Sequence, residues 1–425
     1  MSDRAEQSII YQISLRAFTP QGTLSSAAQL LPYLKELGTD FVYLCPMFCE
    51  DDSEDRATWS PRQIASGTNN PKNPYKIKDY FHVDEEYGTD ADLKAFITRA
   101  HALGLKVMLD LVYLHCSANA VFIREHPDYV KQEANGQITV GDRWPFARIN
   151  YENPEARAYL TSNMRMFVEE YGVDGFRCDV GDEVPLSFWE ESVNALREMH
   201  PQLVMFNEGW QVSHTDSVFD LCYARFDPKA LFAAKTPAKT LTEQIAYAEK
   251  YHFKVVNMLE NHDIASDTYP KRAEVVLGTA ACDAYHALMF TLPGGVMLWN
   301  GNEMADTLEQ CMFSNRFYGK RIGIDWANLQ KETGKQRHDL IQALCALRHA
   351  YPFLKDGAIS VLQDTPVPVL HFTRTDGETV LQIYVNCADC AAECSVPPQT
   401  QPIFLHRAIM DTSLQFAPYG VAVLR

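Results

Sequence analysis

Positive charge is in short supply: 38 Lys and Arg stand against 55 Asp and Glu, a formal charge of -17. Such a surface repels phosphate backbones and anionic lipid, which argues against nucleic acid or membrane partners. It suits a neutral or cationic ligand, and it also serves as a plain solubility device. No apolar run approaches the roughly 20 residues needed to span a bilayer. The start, MSDRAEQSIIYQ, lacks the charged-then-apolar pattern of a secretion signal. Internal repeats and low-complexity segments are missing as well. Eleven cysteines without such a signal fit reduced thiols and a cytoplasmic setting. Cys387, Cys390 and Cys394 fall in a short loop with no histidine cluster beside them, so free thiols are expected there rather than a metal site. No metal and no cofactor is expected.

What is present is enough apolar material for a large core. The chain has 425 residues, 46% of them hydrophobic, ample for a barrel of about 250 residues with attachments. Strand-like runs recur as IIYQI (9–13), FVYLC (41–45), KVMLDLV (106–112), DGFRC (174–178), LVMFNE (203–208), SVFDLCYA (217–224), KVVNMLE (254–260) and GVMLWN (295–300). Amphipathic stretches separate them, among them 25–38, 90–104, 154–172 and 186–199. Eight strands alternating with helices predict a closed parallel (β/α)8 TIM barrel, an α/β fold. Residues 115–150 are polar and turn-rich, an excursion of about 35 residues and long enough for a small subdomain. A helix over 338–351 closes the barrel. From Gly357 onward helical periodicity vanishes and β-formers alternate, predicting an antiparallel β domain. The expected division is a barrel of 1–114 and 151–356, a subdomain of 115–150 and a C-terminal β domain of 357–425.

Barrel enzymes place chemistry at the C-terminal ends of their strands. Here the third run leads through Asp110 to His115, the fourth to Arg177 and Asp179, the fifth to Glu208, and the seventh to His262 and Asp263. One acid alone at such an end is readily a solvated cap. Three carboxylates converging on one mouth suit a glycosidic bond, where one acid protonates the leaving oxygen and one carboxylate attacks the anomeric carbon. An arginine two residues before Asp179 is expected to keep that carboxylate ionised.

These segments resemble the α-amylase family of glycoside hydrolases, family thirteen. Its first motif matches DLVYLH, its second GFRCD, its third FNEGW and its fourth ENHD. PYKIKDYFHVDEEYG resembles the segment between the second and third strands, and LPGGVMLWNGNE the eighth strand. The resemblance spans roughly residues 8–355. It implies Asp179 as nucleophile of a retaining mechanism, Glu208 as acid/base, and Asp263 as the third catalytic carboxylate, gripping hydroxyls of a distorted sugar. It further implies substrate contacts from Tyr75, Asp110, His115, Arg177 and His262, with Tyr75 stacked under the reacting ring. GFRCDVGDEVPLSFWEE is most similar to the cyclomaltodextrinase, neopullulanase and maltogenic amylase branch. That branch carries an N-terminal domain involved in dimerisation. With the barrel starting near residue 8, that domain is not expected, and the oligomeric state is left open.

Departures from the family pattern bear on substrate choice. Leu114 stands where many members have a calcium-binding Asn, and TPQGT (19–23) replaces an acidic calcium loop, so neither usual calcium site is expected. Asp182 and Glu183 replace a Lys-His pair that contacts the leaving side, and Lys76 follows Tyr75 where Asp is usual. The expected function is hydrolysis of α-glucosidic bonds in short malto-oligosaccharides, bound in a pocket. A transglycosylase, isomerase or phosphorylase would use the same intermediate with another acceptor. A non-catalytic glucan-binding or scaffold protein would keep the barrel without the acids.

Overall fold

The computed structural model describes residues 9–225, 228–265, 272–319 and 323–425. Eight parallel strands close into a barrel: β1 (Ile9–Ile13), β2 (Phe41–Leu44), β3 (Lys106–Leu111), β4 (Gly175–Cys178), β5 (Val204–Asn207), β6 (Leu221–Tyr223), β7 (Val255–Met258) and β8 (Gly295–Trp299). The (β/α)8 expectation is thus met. The strands are short and almost wholly buried, as continuous apolar runs covered on both faces must be. Register is set pairwise, with Ile10 opposite Phe41, Phe41 opposite Lys106, Met108 opposite Gly175, and Gly175 opposite Val204.

Helices begin where their caps direct. Thr89 and Asp92 form a reciprocal capping box on Asp90–Ala102, and Asn153 followed by Pro154 opens Pro154–Met166. Residues 25–38 do not form one helix. They form Leu24–Ala28 and Leu31–Leu37, because Pro32, which lacks an N–H, is tolerated only in a first turn and forces a fresh start. The sixth strand is shorter than its apolar run suggests. Val212–Ser217 is helical, and only Leu221–Tyr223 joins the barrel.

The chain divides into two compact units, one of residues 1–222, 262–270 and 308–324, the other of 223–261, 271–307 and 325–425. The second holds β7, β8 and an antiparallel sheet built from Ala358–Leu362, Val369–Thr375, Val380–Asn386, Ala392–Cys394, Pro402–Met410 and Leu414–Leu424. Its last strand pairs with three others and carries Leu414, Phe416, Ala422 and Leu424 into the core. Among the described residues, no helix is long and apolar enough to cross a membrane.

The first unit holds β1–β5 and two excursions. After β3, His115–Cys116 pairs with Ala147–Arg148 at the base of the 115–150 segment. After β2, Phe48–Glu50 pairs with Ile77–Val83, and residues between them form a second, unanticipated excursion. This one is pinned by Arg16. Its Nε donates to Glu86 Oε1 (3.0 Å), its Nη2 to Glu50 (3.0 Å), and its Nη1 to the Met312 carbonyl (2.7 Å). All three charged side chains are buried. Burial pushes the Glu50 carboxyl up to about 8 even with Arg16 opposing it. Removing a partner from such a cluster strands an uncompensated charge. Arg16→Met should therefore lower unfolding free energy by about 3–5 kcal/mol, read from urea denaturation. A loss below about 1 kcal/mol would show that the cluster carries little of the fold's stability.

Candidate active site

The site rests on one buried guanidinium. Arg177 projects from β4 with essentially no exposure. Its Nη1 donates to Asp110 Oδ1 at 2.8 Å and Asp179 Oδ1 at 3.0 Å, and its Nη2 to Glu208 Oε2 at 2.7 Å. The ends of β3, β4 and β5 are thereby drawn onto one cation. Asp110 Oδ2 also accepts from the hydroxyls of Tyr43 (2.6 Å) and Tyr75 (3.1 Å).

Beyond Asp179 the chain turns through Val180 at φ 43°, a left-handed conformation that a β-branched residue adopts only under strain. The turn aims the Val180 N–H at Glu208 Oε2 (3.0 Å). Gly181 follows, where a Cβ would come within 2.3 Å of Asn207 Oδ1. Asp182 then locks the loop after β5. It accepts from Asn207 Nδ2 (2.8 Å) and from the backbone N–H groups of Trp210 and Gln211 (2.5 and 2.9 Å). Glu183 pairs with Arg143 (3.3 Å) and Arg148 (3.8 Å) of the 115–150 segment. Asp182 is thus a brace beneath Glu208 and Trp210, and Glu183 a tie to the neighbouring wall.

Past β7, His262 is held by Gln12, whose Nε2 donates to Nδ1 at 2.9 Å. Nε2–H is then left to face the Tyr75 hydroxyl at 2.7 Å, and Tyr75 in turn donates to Asp110. Burial lowers the His262 pKa, so this relay holds a neutral ring at pH 7. The Tyr75 and His262 rings stack at 5.3 Å. His115 Nε2 donates to the Tyr75 carbonyl (3.0 Å) and lies against Trp144 and Phe146. Lys76 is turned away and buried, 3.1 Å from Asp51.

The electrostatics reverse one expectation. Arg177 does not simply hold Asp179 ionised. Burial, then the neighbouring Glu208, push the Asp179 pKa well up, and Arg177, shared among three carboxylates, only partly offsets them. Asp263 behaves oppositely. Burial disfavours its charge, but His262 and the Arg62 guanidinium hold its pKa down at about 2. With His262 neutral at pH 7, the lasting counter-ion is Arg62, whose Nη1 lies 2.5 Å from Asp263 Oδ1.

Tyr75, His115, Asp179, Glu208, His262 and Asp263 line one cavity of about 470 Å³, within the range of ligand pockets. Asp110 and Arg177 lie beneath it as its charged floor. Trp144, Trp210 and Arg62 complete the walls. Trp210 sits inside the FNEGW motif, so its place is readable from sequence. Arg62, Trp144 and Gln12 carry no local signal.

Burial also lowers the His115 pKa, to about 4. The native ring stays neutral while the unfolded one protonates near 6.5, so its stabilising contribution is complete above pH 6.5 and is lost as pH falls toward 4. Between those limits wild type should lose about 3 kcal/mol more unfolding free energy than His115→Gln, at about 1.4 kcal/mol per pKa unit. Parallel pH slopes for the two proteins in urea titrations would refute this.

Comparison with known proteins agrees with the architecture. The α-amylase catalytic domain profile matches residues 3–137. A cyclomaltodextrinase of Geobacillus thermopakistaniensis is 25% identical over 419 residues, 88% of this chain and 64% of the relative. A maltogenic α-amylase of Bacillus acidopullulyticus is 25% identical over 404 residues, 86% of this chain and 62% of the relative. The chain therefore spans somewhat under two thirds of the length of these relatives. The crystal structure of an α-amylase from Lactobacillus plantarum superposes with a TM-score of 0.80 at 22% identity, covering 100% of both chains. The closed barrel and the C-terminal sheet are thus shared with a solved α-amylase, and over about a third of its length the chain is similar to the α-amylase catalytic domain.

Proposed function

We propose that this chain hydrolyses α-glucosidic bonds of short malto-oligosaccharides, with retention, through a covalent glycosyl-enzyme intermediate. The observation that carries this reading is the pair Asp179 and Glu208, both on Arg177, at the wall of one aromatic-lined cavity. In this reading Asp179 attacks the anomeric carbon while Glu208 protonates the departing glycosidic oxygen. Glu208 then takes a proton from water as that water displaces Asp179. Glu208 Oε2 accepts from Arg177 (2.7 Å) and from the Val180 N–H (3.0 Å), so the carboxylate is fixed at the cavity wall.

One proton must be shared by this pair for the chemistry to start. In the free site, burial and Glu208 favour the neutral form of Asp179. A sugar whose anomeric carbon develops positive charge favours the opposite arrangement, with the charge on Asp179 and the proton on Glu208. Asp263 and neutral His262 are placed to bond ring hydroxyls, and Tyr75 to present an apolar face. The barrel of 1–114 and 151–356 supplies these groups, and the 115–150 segment supplies Trp144.

Asp179→Asn and Glu208→Gln should each lose several orders of magnitude in kcat with the fold retained by circular dichroism. Near wild-type turnover by either variant would refute the assignment. For chain length, kcat/KM on maltose-to-maltopentaose substrates should exceed that on soluble starch by at least about tenfold, equivalent to about 1.4 kcal/mol. A steady rise in efficiency toward polymer would instead indicate an open cleft.

A further inference from the structure

The hydrolytic reading gives the cavity a direction. Glu208 must face the leaving oxygen, so the leaving portion of the chain lies toward Glu208, Trp210 and Gln211. The sugar that is attacked, and everything on its non-reducing side, lies toward Tyr75, His262 and Asp263. The contacts run in series from Glu208 through Arg177, Asp110, Tyr75 and His262 to Asp263, and Arg62 stands at the far end. Arg62 comes from the excursion after β2, and β2 lies three strands from β5 in the barrel order.

The far end is built rigidly. Arg62 sits on the short helix Pro61–Ala65, whose N-terminal Ser60 accepts from the Gln63 N–H (3.1 Å). Gln63 is fully buried and donates to the carbonyls of Asn70 (3.0 Å) and Pro71 (2.9 Å). Asn70 is likewise buried, and its Nδ2 donates to the Phe313 carbonyl (3.0 Å), while Arg16 holds the adjoining Met312 carbonyl. Arg62 then reaches across to Asp263, with Nη1 on Oδ1 and Nη2 toward the backbone carbonyl (3.5 Å). A second sugar on this side would have to displace a partly buried ion pair and an anchored helix.

We propose that Arg62 is a specificity-determining residue that closes the pocket on the side away from Glu208, so that the enzyme acts at the non-reducing end of a chain and not within it. This rests on the hydrolytic reading above. It adds the end of the chain from which sugar is released and the residue responsible.

The test compares two reducing-end-tagged maltoheptaoses, one open and one whose non-reducing terminal ring carries a 4,6-ethylidene acetal. Wild type should consume the open chain at least about tenfold faster than the blocked one, and Arg62→Ala should bring that ratio below about threefold. Wild type consuming both chains equally would overturn the proposal and leave hydrolysis standing. An unchanged ratio in Arg62→Ala would overturn the role of Arg62. Wild type consuming neither would sink the hydrolytic reading, and this proposal with it.

Should Arg62→Ala turn over neither chain, calorimetry with the blocked chain decides. Adding Arg62→Ala to Glu208→Gln should tighten binding at least about tenfold, and equal or weaker binding would overturn the proposal.

Discussion

A single guanidinium holds the floor of this site together. Asp110, Asp179 and Glu208 approach Arg177 from three successive strands, and the two that are buried, Asp110 and Asp179, would not be tolerable there alone. Only arginine offers a planar fork of donors that serves several carboxylates at once. Three acids on one cation leave negative charge in excess, and burial together with the neighbouring Glu208 raises the Asp179 pKa. The same geometry that makes the floor stable therefore makes one of the acids easy to protonate.

The precision of the floor comes from elements outside it. The Val180 turn is strained, and it persists because buried neighbours on β4 and β5 fix both sides of it. Asp182 ties Asn207 at the end of β5 and two backbone donors of the following loop, so Glu208 is held from both sides as well as from Arg177. His262 takes one tautomer because Gln12, at the other end of the sequence, donates to it. The groups proposed to meet the substrate therefore need little reorganisation to act.

How much of this was legible in the sequence depends on separation along the chain. β1 coincides with its apolar run, and the helix over Leu186–Met199 coincides with its amphipathic stretch, because local pattern decides both. The break at Leu30 was also local, but helical periodicity masked the cost of Pro32. Arg62 and Gln12 left no trace, since their partners lie 201 and 250 residues away and no motif surrounds them. The rise in the Asp179 pKa is hidden from the sequence for a related reason. Sequence displays the neighbouring Arg177 but neither the burial nor the approach of Glu208 from another strand, and those two together outweigh it.

The departures from the family pattern are not scattered. Lys76 is balanced by Asp51, which also accepts from Ser117 and from Asn119 (3.2 Å), so the excursion after β2 is stitched to the start of the 115–150 segment. Asp182 and Glu183 brace the loop after β5 and join it to Arg143 and Arg148 on the other flank of that segment. Residues that in sequence look like altered substrate contacts are here the ties between the loops that wall the cavity. A Lys-for-Asp or Asp-for-Lys change at such a place alters which loop is held against which, and so alters the cavity's outline while the acids on its floor stay fixed. In a barrel, where strands hold the candidate acids and loops hold the shape, these charge pairs between loops fix the outline of the cavity around an unchanged floor.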